Sequence, residues 1–330
     1  MSAIRRVTAV LAALVAAFFG SYAPAAGAQP TSPYPTHPIR LLVGFTPGGG
    51  VDINARLLAS KLSAILGQPV IVENRPGAGT NIASEFVAKS APDGYTLLMN
   101  TAAVAINMSL YKNVPFNTLR DFTPVSVFSE SANILVVNEK VPVRTVGDLI
   151  ALARAKPGVL NYSSAGAGTT QHLAGELFKL RTGTDIVHVP YKGTAPSLTA
   201  LIAGDVQMSY ANIPAILPHV KSGRLRPIAT TGSRRSELMP DVPTMKESGV
   251  DGVELSVWYG VFAPSGTPRE IIDTLASAIV RATRDPEIKK RLLDQGAEPV
   301  GNTPEEFAKL VREEIVRWAE VVKVAGLRAE

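Results

Sequence analysis

The chain has 330 residues, 46% of them hydrophobic and 18% charged, with a formal net charge of +5. Its cations are scattered, with no run of five Lys/Arg, so nucleic-acid binding is unsupported. It contains no cysteine, which excludes disulfides, thiolate metal sites, cysteine nucleophiles and a lipid-modified N-terminal cysteine.

Arg5 and Arg6 precede an apolar stretch, Val7 to Gly20, and Ala26-Gly27-Ala28 follows it with small residues. This is the layout of a secretory signal cut after about Ala28, with residues 29–37 as a proline-broken leader. An N-terminal anchor is the alternative reading, but the stretch is short for a span. No later segment approaches 18 consecutive apolar residues. A periplasmic location is expected.

Beyond the leader, short apolar runs alternate with amphipathic ones. Strands are expected at Ile39–Phe45, Val70–Glu73 and Thr96–Met99, with helices at Val51–Leu66 and Ile82–Ser90 between them. The pattern restarts at Ile134–Asn138, a strand. Helices at Thr145–Ala155, Thr169–Leu180 and Ala195–Ala203 then alternate with strands at Leu160–Tyr162, Ile186–Val189 and Val206–Tyr210. Prolines 214, 218, 227, 240 and 243 punctuate the next stretch. The run LSVWYGVFAP, Leu255 to Pro264, and two or three helices ending with Pro304–Val324 close the chain. The alternation predicts an α/β fold with a largely parallel sheet. Its length suits two lobes with a ligand between them. Crossings near Ser131–Val137 and Ser256–Val261 divide it into lobe 1, residues 38–132 and 259–330, and lobe 2, residues 133–258. A simple tandem of two domains would show a similar pattern.

Three junctions share one design. GFTPGGGVD (Gly44 to Asp52), ENRPGAGTNIASEF (Glu73 to Phe86) and NYSSAGAGTTQHLAGELF (Asn161 to Phe178) each follow a strand and open a helix. A helix start leaves backbone N–H groups unpaired and carries partial positive charge. Glycine admits a ligand close to that backbone, and Ser/Thr hydroxyls add donors. The combination suits an anion, although a single glycine turn more often only tightens a strand-to-helix connection. Nucleotide fingerprints fail: Ile53 and Ile82 stand where GxGxxG needs its last glycine, and there is no GxxxxGK[ST]. GxSxG and HExxH are also missing, and the four histidines have no metal-ligand spacing.

Individual side chains stay open at this level. His172 either donates to a ligand or caps and packs its helix, and His188 reads as structural. A Ser163/Ser164–His172 dyad lacks an identifiable carboxylate. Asp52 either interacts with its helix dipole, shapes the PGGG turn or meets a ligand amine. Arg75 is a candidate counter-ion or a salt-bridge partner. Lys192 and Gly193, in VPYKGTAPS, lie on another strand-to-helix junction.

Taken together, these stretches resemble the Bug, or TctC, family of periplasmic solute receptors of tripartite tricarboxylate transport systems. YPTHPIRLLVGFTPGGGVDINARLLA, GQPVIVENRPGAGTNIASEFVAKSAPDGYTLL, NYSSAGAGTTQHLAGELF, HVPYKGTAPSLTALIAGDVQM, GRLRPIATTGSRRSELMPDVPTMKESG and WYGVFAPSGTP carry the resemblance, in order, over nearly all of the chain after the signal. It implies a type II periplasmic-binding fold, two α/β lobes joined by two crossover strands. It also implies a small carboxylate trapped by hinge closure and handed to permease subunits. The protein is expected to act as a monomer, without cofactor, metal or catalysis. The two clamp loops map to Thr46–Asp52 and Ser163–His172. The candidate ligand residues are Phe45, Pro47, Gly48, Gly49, Gly50, Asp52, Thr101, Ala102, Ser164, Gly166, Gly168, Thr169, His172, Lys192, Gly193 and Asn212. Asn100–Ala103 is placed at the variable end of the pocket. Ala211 stands where many relatives carry an acidic residue, which favours a carboxylate without an amino group. Presenting the ligand to a sensor kinase, or catalysis on the same fold, are the alternative roles.

Overall fold

The computed structural model describes residues 34–329, and the expected signal segment lies outside them. From His37 onward the chain forms one unit. Strand β1 (Ile39–Val43) leads through the PGGG turn into helix α1 (Gly50–Leu66). Strand β2 (Val70–Asn74), helix α2 (Asn81–Ala88), strand β3 (Thr96–Asn100), helix α3 (Ala103–Leu110) and a single turn, α4 (Thr118–Asp121), complete the first stretch. β1 lies between β2 and β3, parallel to both. Helix α3 was not expected. Its sequence AVAINMSL is buried on nearly every side, so it has no amphipathic period to read.

Strand β4 (Phe122–Asn138) is 17 residues long. At about 3.3 Å per residue it spans roughly 56 Å, enough to run through both halves of the molecule. Only its last five residues were expected, because Pro124 and a series of serines mask the first part. The register against its partner shifts between Pro124 and Ser126 and again between Val127 and Ser129. Such bulges admit a proline that a regular central ladder excludes.

The second half contains α5 (Val146–Ala155), β5 (Asn161–Ser164), α6 (Thr170–Thr182), β6 (Val187–Pro190) and α7 (Thr194–Ala203). β7 (Met208–Asn212), α8 (Ile213–Lys221) and β8 (Leu225–Thr230) follow. The last two replace what looked like proline-rich connection. Pro214 sits in the first turn of α8, where its missing N–H costs nothing, and Pro218 falls near its end. Pro227 occupies the bulge where β8 pairs with β4. The chain returns through β9 (Ser256–Pro264), then α9 (Arg269–Arg284), α10 (Pro286–Leu293), β10 (Ala297–Pro299) and α11 (Pro304–Val324).

The strand path is β2-β1-β3-β9-β4-β7-β5-β6, with β8 and β10 also on β4. β9 pairs with β4 from Phe122↔Pro264 to Ala132↔Ser256. One residue later, at Asn133, β4 passes to β7, and then to β8 from Ile134. Two α/β halves therefore share β4 and are joined by it and by the start of β9. The first half closes on α11, whose Phe307 and Trp318 are fully buried. Phe307 packs against Trp258 and Phe262 of β9, with ring centroids at 5.2 and 4.8 Å. Gly260 makes this possible, because a Cβ there would strike the Phe307 ring.

Candidate functional site

The PGGG turn is held from within. The Gly48 N–H donates to the Asp52 carboxylate at 3.0 Å. Asp52 also accepts from Asn74 at 2.9 Å and pairs with Arg56 one helical turn on, at 2.9 Å. Asn74 in turn donates to the Phe45 carbonyl at 3.0 Å. Burial alone would raise the Asp52 pKa, but the hydrogen bonds from Arg56, Gly48 and Asn74 outweigh it and hold the carboxyl below its ordinary value. Asp52 is thus occupied in shaping the turn. The N-cap of α1 is Gly49, which offers no side chain to the first-turn N–H groups.

The GAGT turn at Gly166–Thr169 is held from below. Ser164 Oγ accepts the Gly166 N–H at 3.1 Å and lies 2.7 Å from His188 Nε2. His172 Nδ1 accepts the Gly168 N–H at 3.3 Å, and Gln171 accepts the Ala165 N–H at 2.7 Å. The Thr169 N–H returns to the Gly166 carbonyl at 3.3 Å. His172 and His188 stack face to face at 4.0 Å. Burial lowers the His172 pKa to about 4, and burial together with His172 lowers that of His188 to about 2. Both imidazoles are neutral at physiological pH and serve as struts. The Ser–His contact is therefore Ser164–His188 rather than Ser164–His172. The nearby Glu176 carboxylate is bonded to the Tyr162 hydroxyl at 2.6 Å.

These two turns belong to different halves, and the fold brings their helix starts together. A Cβ on Gly49 would lie 3.4 Å from Thr194, and one on Gly50 2.6 Å from the Asn212 amide. Gly193, at φ +149°, packs on Thr46 with no room for a Cβ. Gln171 donates to the Thr194 hydroxyl at 3.2 Å, and Asn133 donates to Thr170 at 3.4 Å. The starts of α1, α6, α7 and α8 therefore converge. Three of their N-caps, Gly49, Gly193 and Asn212, make no side-chain capping bond. Among the described residues no Lys or Arg is buried, so positive potential here comes from backbone dipoles. A second contact closes the rim. Gly79 rests on the Ala167 carbonyl and Asn107 on Gly168, and the Tyr111 hydroxyl reaches the Ala167 carbonyl at 3.5 Å.

At the floor of this junction several buried polar atoms lack a partner, including Asn133 Oδ1, Asn212 Oδ1 and Thr46 Oγ1. Each such group costs about 1–3 kcal/mol when left unsatisfied. Their clustering at one place makes it the candidate polar surface.

The candidates from the sequence fall into groups. Gly48–Gly50, Thr169, His172, Gly193 and Asn212 gather at or directly beneath the convergence. Ser164, Gly166 and Gly168 lie under it with their polar groups engaged inside the turn. Phe45 is buried as a support, while Pro47 and Lys192 are exposed at the edge. Thr101 and Ala102 are buried inside the first half, where the Thr101 hydroxyl accepts the Ala103 N–H at 3.3 Å. Arg75 lies over the Phe86 ring at 3.8 Å and 3.7 Å from Glu73, a structural arrangement. Sequence reasoning did not single out Asn74, Arg56, Gln171, Asn107, Asn133 or Tyr259. Asn74, which ends strand β2 just before a glycine turn, was the available signal, since a strand that ends in Asn at such a turn offers an amide to it.

The family model described as "Tripartite tricarboxylate transporter family receptor" matches residues 54–327. The chain is 41% identical over 297 residues to Protein BugT of Bordetella pertussis, covering 89% of this chain and 91% of that one. Among solved structures, R. palustris Rpa4515 with adipate superposes with a TM-score of 0.87 at 40% identity, covering 89% of this chain and 99% of that one. MatC from Rhodopseudomonas palustris with bound malate superposes at 0.84 and 33% identity, covering 88% and 100%. The periplasmic binding protein BugD gives 0.87 at 32% identity, covering 90% and 100%, so the fold is that of periplasmic binding proteins. The chain belongs to the TctC/Bug family of periplasmic solute-binding receptors.

Proposed function

We propose that this protein captures a small carboxylate between its two halves and delivers it to the membrane subunits of a tripartite tricarboxylate-type transporter. The observation that carries this reading is the convergence of four helix starts, three without side-chain caps, in a place with no buried cation. A charge-assisted hydrogen bond contributes about 1.5–3 kcal/mol, so several backbone donors suffice to hold one carboxylate. The ligands of Rpa4515 and MatC, adipate and malate, are of this class.

In this reading the N–H groups of Gly49, Gly50 and Val51 face the carboxylate from one half. Those of Thr170 and Gln171 face it from the other. The engaged donors of Gly166 and Gly168 keep the second turn in shape. Residues 38–132 with 259–330 and residues 133–258 move as the two lobes, hinged where β4 changes partners. Glycine packing at Gly50–Asn212, Gly193–Thr46 and Gly79–Ala167 belongs to the closed state. The glycine turns serve binding rather than catalysis, since both imidazoles and Asp52 are occupied structurally.

A thermal-shift screen with mono-, di- and tricarboxylates, amino acids and aromatic acids tests the proposal. A ligand at 100 times its Kd adds about 2.7 kcal/mol of stability. Stabilisation by carboxylates but not by the matching amides or alcohols is the expected result. A protein that no carboxylate stabilises, and that releases none on denaturation, is not such a receptor.

A further inference from the structure

Resting on that reading, we propose that the site selects a carboxylate whose second polar group is uncharged, a hydroxyl above all. Asn133, Asn212 and Tyr259 hold that second group. Asn133 and Asn212 are register partners across β4 and β7, at the point where β4 passes from one half to the other. Cross-strand partners share a face of the sheet, so the two amides stand side by side. Asn212 touches Gly50 of the first turn, and Asn133 donates to Thr170 at the start of α6. The pair therefore bridges the two helix starts that receive the carboxylate. Tyr259, opposite Ser129 on the neighbouring strand, brings its hydroxyl beside Asn212.

All three side chains are buried, with exposures of 0%, 4% and 0%; Asn133 and Asn212 each have an oxygen without a hydrogen-bond partner, and the Tyr259 hydroxyl interacts with the Asn212 side chain. An amide presents a donor and an acceptor whichever way it is turned, and a phenol presents both on one oxygen. The natural complement is a group that both donates and accepts. A hydroxyl does so, whereas a carboxylate only accepts and an ammonium only donates. Charge points the same way. Arg56, a cation of the first turn, is bound to Asp52 and Asn74, and Lys192 is exposed. A second carboxylate at these three side chains would have no counter-ion. An amino group would have none either, since Asp52 is committed to Gly48, Asn74 and Arg56 and Ala211 offers no charge.

Titration calorimetry with a matched series tests this. For chains of four to six carbons, the unsubstituted monocarboxylate, its hydroxy acids, the dicarboxylate and the amino acid are compared on the wild-type protein. Hydroxy acids should bind at least about tenfold more tightly than the dicarboxylate and amino acid of equal length. Tyr259→Phe, which keeps the ring, and Asn133→Ser should cut hydroxy-acid affinity about tenfold. Tyr259→Phe should leave the unsubstituted acid within about twofold, whereas Asn133→Ser, which also releases Thr170, should weaken it by less than it weakens the hydroxy acid. A dicarboxylate or amino acid that binds most tightly overturns this inference and leaves the receptor reading standing. Variants that weaken every carboxylate equally, with unchanged melting temperatures, overturn it in the same way. Failure of all carboxylates to bind overturns both.

Discussion

The Asp52 carboxylate accepts the backbone N–H of Gly48 at 3.0 Å, so a helix side chain holds the turn that precedes its own helix. The contact also fixes which N–H groups of the PGGG turn stay available. Gly48 is taken, while Gly50 and Val51, in the first turn of α1, have no intrahelical partner for theirs.

Asp52→Ala should therefore loosen the turn and leave Arg56 without its partner. We expect a stability loss of about 1–3 kcal/mol and a larger proportional loss of ligand affinity. The sign of the pH effect follows from the lowered carboxyl pKa. A carboxyl whose folded pKa lies below its unfolded value of about 3.9 contributes its stability above that value and loses it as pH falls through the folded one. The difference between wild type and variant should be flat from pH 8 to 5 and shrink below about pH 4. Chemical denaturation across that range measures it.

Gly49→Val addresses the close approach of the two halves. Gly49 has φ −83° and ψ 168°, extended values that valine adopts without strain. Its first side-chain atom would lie 3.4 Å from Thr194, and the two methyls beyond it fill the space between the helix starts. The variant should fold with a melting temperature within a few degrees of wild type and bind carboxylates at least about 100-fold more weakly. A variant with native affinity removes Gly49 from the site.

The neutral histidines make a prediction about acid. His172 has a folded pKa of about 4 against an ordinary 6.5. Between those values the unfolded chain binds a proton that the folded one refuses, so stability falls as pH drops from about 6.5 to 4. One such group contributes a slope of about 1.4 kcal/mol per pH unit within that window. His172→Asn retains an acceptor for the Gly168 N–H and removes this titration. Its stability should fall less steeply than that of wild type between pH 6.5 and 4, and match it in slope above pH 7.5. Equal slopes throughout would show that the His172–His188 stack does not resist protonation.

Gly168→Ala tests the rim. Gly168 has φ +81° and packs on Asn107 of the other half. Alanine there costs about 1–2 kcal/mol in backbone strain and collides with that amide. The variant should remain folded but bind ligand more weakly. In small-angle scattering it should lack the contraction that a saturating carboxylate produces in the wild type. An unchanged contraction would place closure elsewhere.

The alternation of strands and helices was legible because each element carries its own period, as in α1 with Leu58 and Leu62 on its buried side. The glycine turns were legible as turns because glycine reaches the backbone angles that a tight strand-to-helix connection needs. Elements without a period were not. The all-round buried α3, the bulged first part of β4, and α8 with its two prolines each lack the local pattern that reading requires. Asn133 and Tyr259 were missed for a different reason. Nothing in their neighbours along the chain distinguishes them from ordinary strand residues.

From residue order alone came the class of fold, the positions of the glycine turns and the family. These rest on local periodicity, backbone freedom at glycine and the succession of short motifs. Which of the candidate residues meet was settled by folding. Asp52 and His172 proved to be engaged in holding turns. Thr101 and Ala102 lie inside one half, and Asn133 and Asn212 came side by side. Such pairings join residues far apart in the chain. They depend on the register of β4 against its successive partners, a long-range choice set by packing of the whole sheet rather than by any local preference.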